Sequence, residues 1–556
     1  MIARHYEFWP KRIGRSLSVP KTSIYDNLEV SARRYPDKTA IHYYGGSVTY
    51  RRFQEEVEGM AGFMQSKLGV VTGDRILLYM QNSPQYIIAY YAILRANAVV
   101  VPMNPMNVTT ELEFYIKDCE AKVAFVGQEL YDRIAPLQKV TSLQHVIIAV
   151  YSDYVSSEFD FEVPPEVSSP RQVFENAKII DWQDIISSGM KPGPLTVTDR
   201  DMAVLSFTSG TTGTPKGCIH THGTVNSNTV GASAWFTMTA NAISLTTLPL
   251  FHVTGMQHSM NAPVFVGGTI VLLMRWNRDL AASLVERYGC THWINIATMV
   301  IDFLANPKLT DYTLDTLTAV GGGGAPLPEA VGEKLFQLLG VRYAEGYGMS
   351  ETISQTHFNP PDRPKLQCIG IPSFDVDARI IDADTLQELG PGEQGELVVN
   401  GPQVMTGYWN RPEETETAFI TLSGKQFLRT GDISVFDEEG YFFIIDRIKR
   451  MINAAGFKVW PTEVESKLFN HPSIKQACVI GVPDAKRGET VKAFVILHEP
   501  ERGKVTEEEI IEWAKGVMSA YKYPRIVQFV DSLPMSATGK LLWRQLQEEE
   551  RERARI

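Results

Sequence analysis

Met60, Phe63, Met64 and Leu68 recur at spacings of three and four, so they share one face of a helix, and Gly69 supplies its stop. The apolar run over 75–80 predicts a strand. Asn82-Ser83-Pro84 then offers a side-chain cap and a first-turn proline for a helix running toward Asn97, and 98–101 predicts the next strand, closed by Pro102. Strand, helix and strand in that order imply a parallel pair, because only a crossover returns the chain to the same end of a sheet. Near the other end, Thr462-Glu463-Val464-Glu465 and Thr506-Glu507-Glu508-Glu509 read as capping boxes, interleaved with strands over 478–482 and 491–497. The pattern predicts an α/β chain in two parts. A large N-terminal domain of layered sheets and helices takes residues 1–447, and a small α+β domain takes 448–556.

Two polar stretches, 156–170 and the proline-rich turn 360–364, read as surface connections rather than boundaries, and no internal repeat is found. From Gly217 to Met274 no Asp, Glu, Lys or Arg occurs. Asn226, Ser227, Asn228, Thr246, Thr247, His252 and Gln257 interrupt that stretch, and its longest apolar run, near 264–274, is too short to span a bilayer. It reads as buried core and pocket wall. Peripheral membrane contact stays open, without a transmembrane segment.

At 556 residues the chain exceeds one ordinary core. A net charge of −11 argues against nucleic acid as a partner, while leaving room for a local basic patch facing an anion. Five scattered cysteines without C-x-x-C spacing indicate neither a disulfide framework nor a zinc cluster, and they suit a reducing cytoplasm. The first ten residues hold no sustained apolar run of the secretory kind. The charged tail 548–555 reads as a solvated helix end, and a monomer or homodimer is expected.

The chemistry concentrates in Thr208-Ser209-Gly210-Thr211-Thr212-Gly213-Thr214-Pro215-Lys216-Gly217, which follows an apolar lead-in over 203–207. Glycines let backbone N–H groups turn toward an anion, hydroxyls add donors and a lysine adds charge, so a polyphosphate suits the loop. It is not the P-loop of NTPases: counted from Gly210, Pro215 takes the second glycine's place and Gly217 that of the magnesium-binding hydroxyl. Further motifs follow in order. They are Pro249-Leu250-Phe251-His252-Val253-Thr254-Gly255, Gly322-Gly323-Gly324-Ala325-Pro326-Leu327 and Glu345-Gly346-Tyr347-Gly348-Met349-Ser350-Glu351-Thr352. Then come Arg429-Thr430-Gly431-Asp432, Asp446-Arg447-Ile448-Lys449 with Gly456, and Pro534-Met535-Ser536-Ala537-Thr538-Gly539-Lys540. With these, essentially the whole chain resembles the adenylate-forming superfamily of acyl-CoA synthetases, luciferases and adenylation domains, and most resembles its medium- and long-chain fatty-acid CoA ligases.

That resemblance implies a two-step ligase: a carboxylic acid and ATP give an acyl-adenylate and pyrophosphate, then coenzyme A gives acyl-CoA and AMP. It implies catalytic roles for Lys540, Glu351 and His252, with Glu351 and Thr208 toward Mg²⁺. It further implies ATP or AMP contacts from Thr208, Ser209, Gly210, Thr211, Thr212, Gly213 and Lys216, and from Gly323, Gly324, Ala325 and Pro326. Glu345, Gly346, Tyr347, Gly348, Ser350, Asp432 and Arg447 complete that set. Lys449 is the expected hinge of a mobile C-terminal domain. Gly456, Phe457 and Lys458 are expected on the CoA side, with Arg450, Lys486 and Arg487 as further cations there. An acyl pocket is expected along Gly255, Met256, Met299 and Gly322, where the glycines, with Gly321 to Gly324, are read as leaving space.

The chemistry of these residue types agrees. A carboxylate attacking a phosphate needs positive charge where negative charge builds up, and Mg²⁺ accepts one carboxylate alongside phosphate oxygens and water. An aspartate suits two ribose hydroxyls. His220, His222, His252 and His258 lack the partners and spacing of a metal cluster. Small departures from the family pattern are Ser350 for threonine, Ile296-Ala297-Thr298 for Val-Pro-Thr, Asn97 for glycine, and Met256 at the place of a gating tryptophan. Rival readings are an aryl or other carboxylic-acid CoA ligase, a free-standing enzyme loading a carrier protein, and a non-catalytic nucleotide-binding relative.

Overall fold

A computed structural model of the protein describes residues 4–174, 178–208, 214–454, 457–484, 487–535 and 541–553. The predicted helix at Met60 spans Tyr50–Lys67 and ends just before Gly69, whose φ of +66° lies in the left-handed region that favours glycine. Arg75–Tyr79 and Val99–Pro102 pair in parallel around the helix Pro84–Arg95, and the Ser83 hydroxyl caps that helix by accepting from Tyr86 N–H. Asn97 stands at φ +62°, and its carboxamide oxygen accepts from Thr196 N–H at 2.8 Å. Asparagine tolerates this conformation, so the family's glycine is replaced without strain there.

These elements belong to a seven-stranded sheet. Its order is Ile179–Asp181, His145–Ala149, Val123–Gly127, Arg75–Tyr79, Val99–Pro102, Met202–Phe207 and Gly217–Thr221, parallel except for the last pair. A nine-stranded sheet runs from Ile371–Pro372 through Ser354–Phe358, Ala344–Met349 and Ala319–Gly323 to Gly46–Thr49. Pro84–Arg95 is buried on nearly every side, as is His222–Trp235, which marks them as a middle layer. One apolar cluster accordingly draws residues from both sheets and from these helices. The charge-free stretch supplies His222–Trp235 and the turns over Gly255–Asn261, all seven of whose residues are buried; it is core, as its composition predicts.

A third sheet is built from Asp377–Ile381, Gly395–Asn400, Phe419–Leu422, Lys425–Phe436 and Phe442–Arg447. A separate fourth sheet holds Ile452–Ala454, Phe457–Val459, Ile474–Asp484, Gly488–Leu497 and Ile526–Phe529. The predicted box at Thr506 forms in full, with Thr506 and Glu509 each bonded to the other's backbone N–H. At Thr462 it does not. The helix there spans Pro461–Leu468 with Trp460 at its cap, so proline takes the first position and Thr462 lies inside the first turn. The charged tail is a largely solvated helix end, as predicted, with Glu548, Glu549 and 551–553 exposed, and among its described residues only Glu550 turns inward. Trp543–Arg553 is a helix, Leu546 is buried, and Glu550 ion-pairs the largely buried Lys492 at 2.7 Å.

Candidate active site

Asp432 and Arg447 sit opposite each other in the register of Lys425–Phe436 and Phe442–Arg447. Antiparallel pairing therefore sets opposite charges side by side, and Arg447 Nε lies 2.9 Å from Asp432 Oδ1. Tyr347, carried by Ala344–Met349 of the nine-stranded sheet, donates its hydroxyl to Asp432 Oδ2 at 2.5 Å. Two sheets thus meet at one carboxylate that is 2% exposed. The Asp432 charge holds the guanidinium of Arg447 above its ordinary range, so this cation is permanent.

Glu351 lies in the short turn Ser350–Thr352. Burial pushes its pKa up, while the Tyr408 hydroxyl donates to Glu351 Oε1 at 2.9 Å and favours the charged form. The turn is pinned from behind, because His220 Nε2 donates to Ser350 O at 2.7 Å. Burial lowers the pKa of His220 to about 4, so the ring is neutral near pH 7. It works as a strut for the turn.

The signature loop closes between antiparallel strands. Thr208 N–H donates to Lys216 O at 2.9 Å, and Lys216 N–H donates to Thr208 Oγ1 at 3.2 Å. Lys216 Nζ stands 4.6 Å above the Tyr408 ring, so one tyrosine touches both the cation and Glu351. Lys449, in the turn Ile448–Arg450, has its pKa lowered first by burial and then by Lys216, Arg544 and Arg447. Lys216, Arg447 and Arg544 thus lie within electrostatic reach of Lys449, so three segments bring four cations to one region, which suits a polyanion there.

Gly324, Ala325 and Pro326, expected to contact the nucleotide, are exposed, and Gly324 has a φ of +87°. Glu345 is internal. Its carboxylate accepts from Gln367 N–H at 2.8 Å, and burial raises its pKa to about 7. Gly346 and Gly348 admit close neighbours: a Cβ on Gly346 would overlap the Phe358 ring, and one on Gly348 the Ser354 carbonyl.

The acyl side overturns an expectation. Gly255 and Gly322 do not leave open space. A Cβ on Gly255 would overlap the Pro249 carbonyl, and one on Gly322 the Asn295 carbonyl. Gly321 and Gly323 are closed in the same way by the Ala344 and Gly346 carbonyls. These glycines let backbone approach backbone, the other use of a missing side chain. Met256 is fully buried, and Met299 Sδ accepts from the Thr247 hydroxyl at 3.5 Å. His252 is partly buried beside them, and its N–H donates to Pro249 O at 3.2 Å.

Phe457 is 55% exposed and stacks on Tyr521 with ring centres 4.8 Å apart, while Lys458 Nζ lies 3.9 Å from Asp384 Oδ2. Arg450 is not a surface cation for CoA phosphates. It turns inward onto Glu465 at 2.5 Å. Ser209, Gly210, Thr211, Thr212, Gly213, Gly456, Lys486 and Lys540 lie outside the described residues. Sequence reasoning missed Tyr408 and Arg544. Tyr408 stands in Gly407-Tyr408-Trp409-Asn410, where glycine beside two aromatics is a signal worth weighing, but Arg544 lies in an ordinary charged helix and gives none.

Comparison with known proteins agrees with this geometry. The AMP-binding enzyme family model matches residues 28–409, and the model of the AMP-binding enzyme C-terminal domain matches 463–540. A long-chain-fatty-acid–CoA ligase of Bacillus subtilis (strain 168) is 34% identical, covering 99% of this chain and 98% of the relative. A feruloyl-CoA synthase of Amycolatopsis sp. is 30% identical over 92% of this chain and 96% of its own. Among solved structures, ATP-bound MatB from Rhodopseudomonas palustris superposes with a TM-score of 0.83 at 27% identity, covering 95% of this chain and 99% of that one. The apo form of MatB, at the same identity and coverage of this chain, scores 0.73.

Proposed function

Since this chain belongs to the AMP-binding enzyme family and is an AMP-forming acid–thiol ligase, we propose that it activates a medium- or long-chain fatty acid and transfers it to coenzyme A. The observation that carries the ATP half is the pairing of Arg447 with a buried Asp432, beside Lys449, which feels the charges of Arg447, Lys216 and Arg544. Asp432 accepts from the ribose hydroxyls, and the cations take the phosphates. An oxygen of the fatty carboxylate attacks the α-phosphorus, the bond to the bridging oxygen breaks, and pyrophosphate leaves with that bond's electron pair. Positive charge from Lys216 and from Lys540 meets the charge that builds up on the phosphoryl oxygens. In the second step the CoA sulfur attacks the acyl carbonyl, its thiol proton is lost to solvent, and AMP departs.

Glu351 fits a magnesium ion, because it is a buried carboxylate with one oxygen engaged by Tyr408 and its charge otherwise disfavoured. When bound there, the ion would neutralise phosphate charge. His252 orients the acyl carboxylate and need not remove a proton, since a fatty acid is already ionised near neutral pH. Residues 448–556 move as a unit about Lys449 between the two steps.

The fatty-acid reading is supported by the Bacillus relative and by the apolar side chains of Met256, Met299 and Val300. The feruloyl-CoA synthase supports an aromatic acid instead. A panel of saturated acids of increasing length and of aromatic acids, ferulate included, decides between them by CoA-dependent AMP formation. The highest kcat/KM is expected for a medium or long saturated chain. A preference for an aromatic acid replaces the fatty-acid reading, and AMP release without CoA turnover points to a carrier protein as acceptor.

A further inference from the structure

A cluster of buried charge lies next to the expected hinge. Asp446, 3% exposed, sits three residues before Lys449 on the strand Phe442–Arg447. Its Oδ2 accepts from the backbone N–H of Thr462 at 2.7 Å. That N–H lies in the first turn of Pro461–Leu468, where helix donors have no partner within the helix, so Asp446 caps a helix from beyond the hinge. Arg450, one residue after Lys449, bridges the same parts. Its guanidinium reaches Glu465 at 2.5 Å, Val479 O at 3.2 Å and Asp446 at 3.7 Å, and Arg450 Nη1 donates to Thr462 Oγ1 at 3.2 Å. Both members of the Arg450–Glu465 pair keep under 15% of their side-chain surface exposed, at 12% and 13%.

The cluster also reaches the catalytic-lysine loop. Arg450 Cζ lies 5.7 Å from the centre of the Trp543 ring, and Arg544 Cζ lies 5.5 Å from the same ring. Trp543 opens the helix Trp543–Arg553, which begins just past Lys540. The loop's two ends are tied together, since Leu542 N–H donates to Pro534 O at 2.8 Å. Fixing Trp543 therefore fixes the start of the helix that follows this segment. Arg544, on the same turn, belongs to the cation group around Lys216.

We propose that Asp446, Arg450 and Glu465 form a latch that holds the C-terminal module in the adenylating arrangement, with Arg450 as a positioning residue for Trp543 and the helix it opens. The inference rests on the two-step ligase reading. Asp446 lies before the hinge, whereas Arg450, Thr462 and Glu465 lie after it. Rotation of the backbone at Lys449 must break the bonds to Asp446 but carries the Arg450–Glu465 pair along intact. The latch thus biases one orientation without touching substrate. The arrangement it closes is the one that brings Arg544 of the C-terminal helix within electrostatic reach of Lys449, as Lys216 is.

The test measures the two half-reactions separately, by acid-dependent pyrophosphate exchange and by thioester formation from a supplied acyl-adenylate. Asp446→Ala removes the link across the hinge. Losing a charge-assisted hydrogen bond on this scale should lower exchange by about tenfold or more while thioester formation holds or rises. Arg450→Met alone leaves Glu465 buried without its partner and risks unfolding, so it is paired with Arg450→Met/Glu465→Met, in which apolar side chains replace both charges. The double variant should melt near the wild type and show the same split, and Arg450→Lys should restore part of the exchange. Unchanged exchange in Asp446→Ala overturns the latch, and so does an equal fall of both half-reactions in a double variant that melts normally. Failure of the ligase reading looks different: the wild type itself would then show no exchange with any acid.

Discussion

The corner at Asp432 and the wall of glycines expected beside an acyl chain use their conspicuous residues in opposite ways. At the corner, Asp432, Arg447 and Tyr347 meet through side chains, each bonded to the next. Along the wall, Gly255, Gly321, Gly322 and Gly323 meet carbonyl groups through their own backbone. A buried carboxylate has few acceptable partners, so its identity in a motif nearly dictates its contacts. Glycine carries no such information. It marks a position where a side chain is unwelcome, and either a ligand or another strand can be the reason.

The sharpest way to break this contrast is Asp432→Ala. It strips both Tyr347 and Arg447 of a partner, and two charge-assisted bonds lost together should cut adenylate formation by about a hundredfold or more. A variant within a few-fold of wild type would show that the corner is only structural. Gly322→Ala probes the other side. Its new methyl meets the Asn295 carbonyl, so it should destabilise the protein by about 1–3 kcal/mol or more in thermal or urea unfolding. Its remaining activity should fall alike for short and long acids. A selective loss of long acids at normal stability would restore the view that this glycine makes room for the chain.

A smaller effect is expected at Tyr408→Phe, which removes the donor to Glu351 while keeping the ring beneath Lys216. Turnover should drop by roughly five- to tenfold, with more Mg²⁺ needed for half-maximal rate, in keeping with one hydrogen bond to a charged group. An unchanged Mg²⁺ response would separate Glu351 from the metal.

The effect that vanishes at neutral pH and grows only in acid concerns His357, buried behind Tyr347 and lowered by burial from 6.5 to about 3. A base held neutral in the folded state contributes stability that is complete above pH 6.5 and is lost as pH falls toward 3. Against His357→Phe, the wild type should therefore lose about 1.4 kcal/mol per pH unit below that point. Parallel unfolding curves at neutral and acid pH would contradict the assignment.

Much of the fold was legible because its signals are local. Ser83 caps where a serine before proline should, and the apolar spacing at Met60 returns as Tyr50–Lys67. The Thr462 box failed because Pro461 claimed the first helical position and Asp446 supplied the cap from another element. Asp432 and Arg447 were legible within their motifs. Arg450, read as a surface cation, was not, since its partners Glu465 and Val479 lie 15 and 29 residues away and only the tertiary structure brings them together. Arg544 is hidden for the same reason.

The central claim is that Asp432, Arg447 and the neighbouring cations hold ATP for attack by a carboxylate on its α-phosphorus. Turnover of a fatty acid labelled with ¹⁸O in its carboxylate tests it directly, because the attacking oxygen stays with the phosphorus it attacks. The account predicts one labelled oxygen in the AMP released and none in pyrophosphate. Label in inorganic phosphate with ADP as product, or AMP free of label, would contradict it.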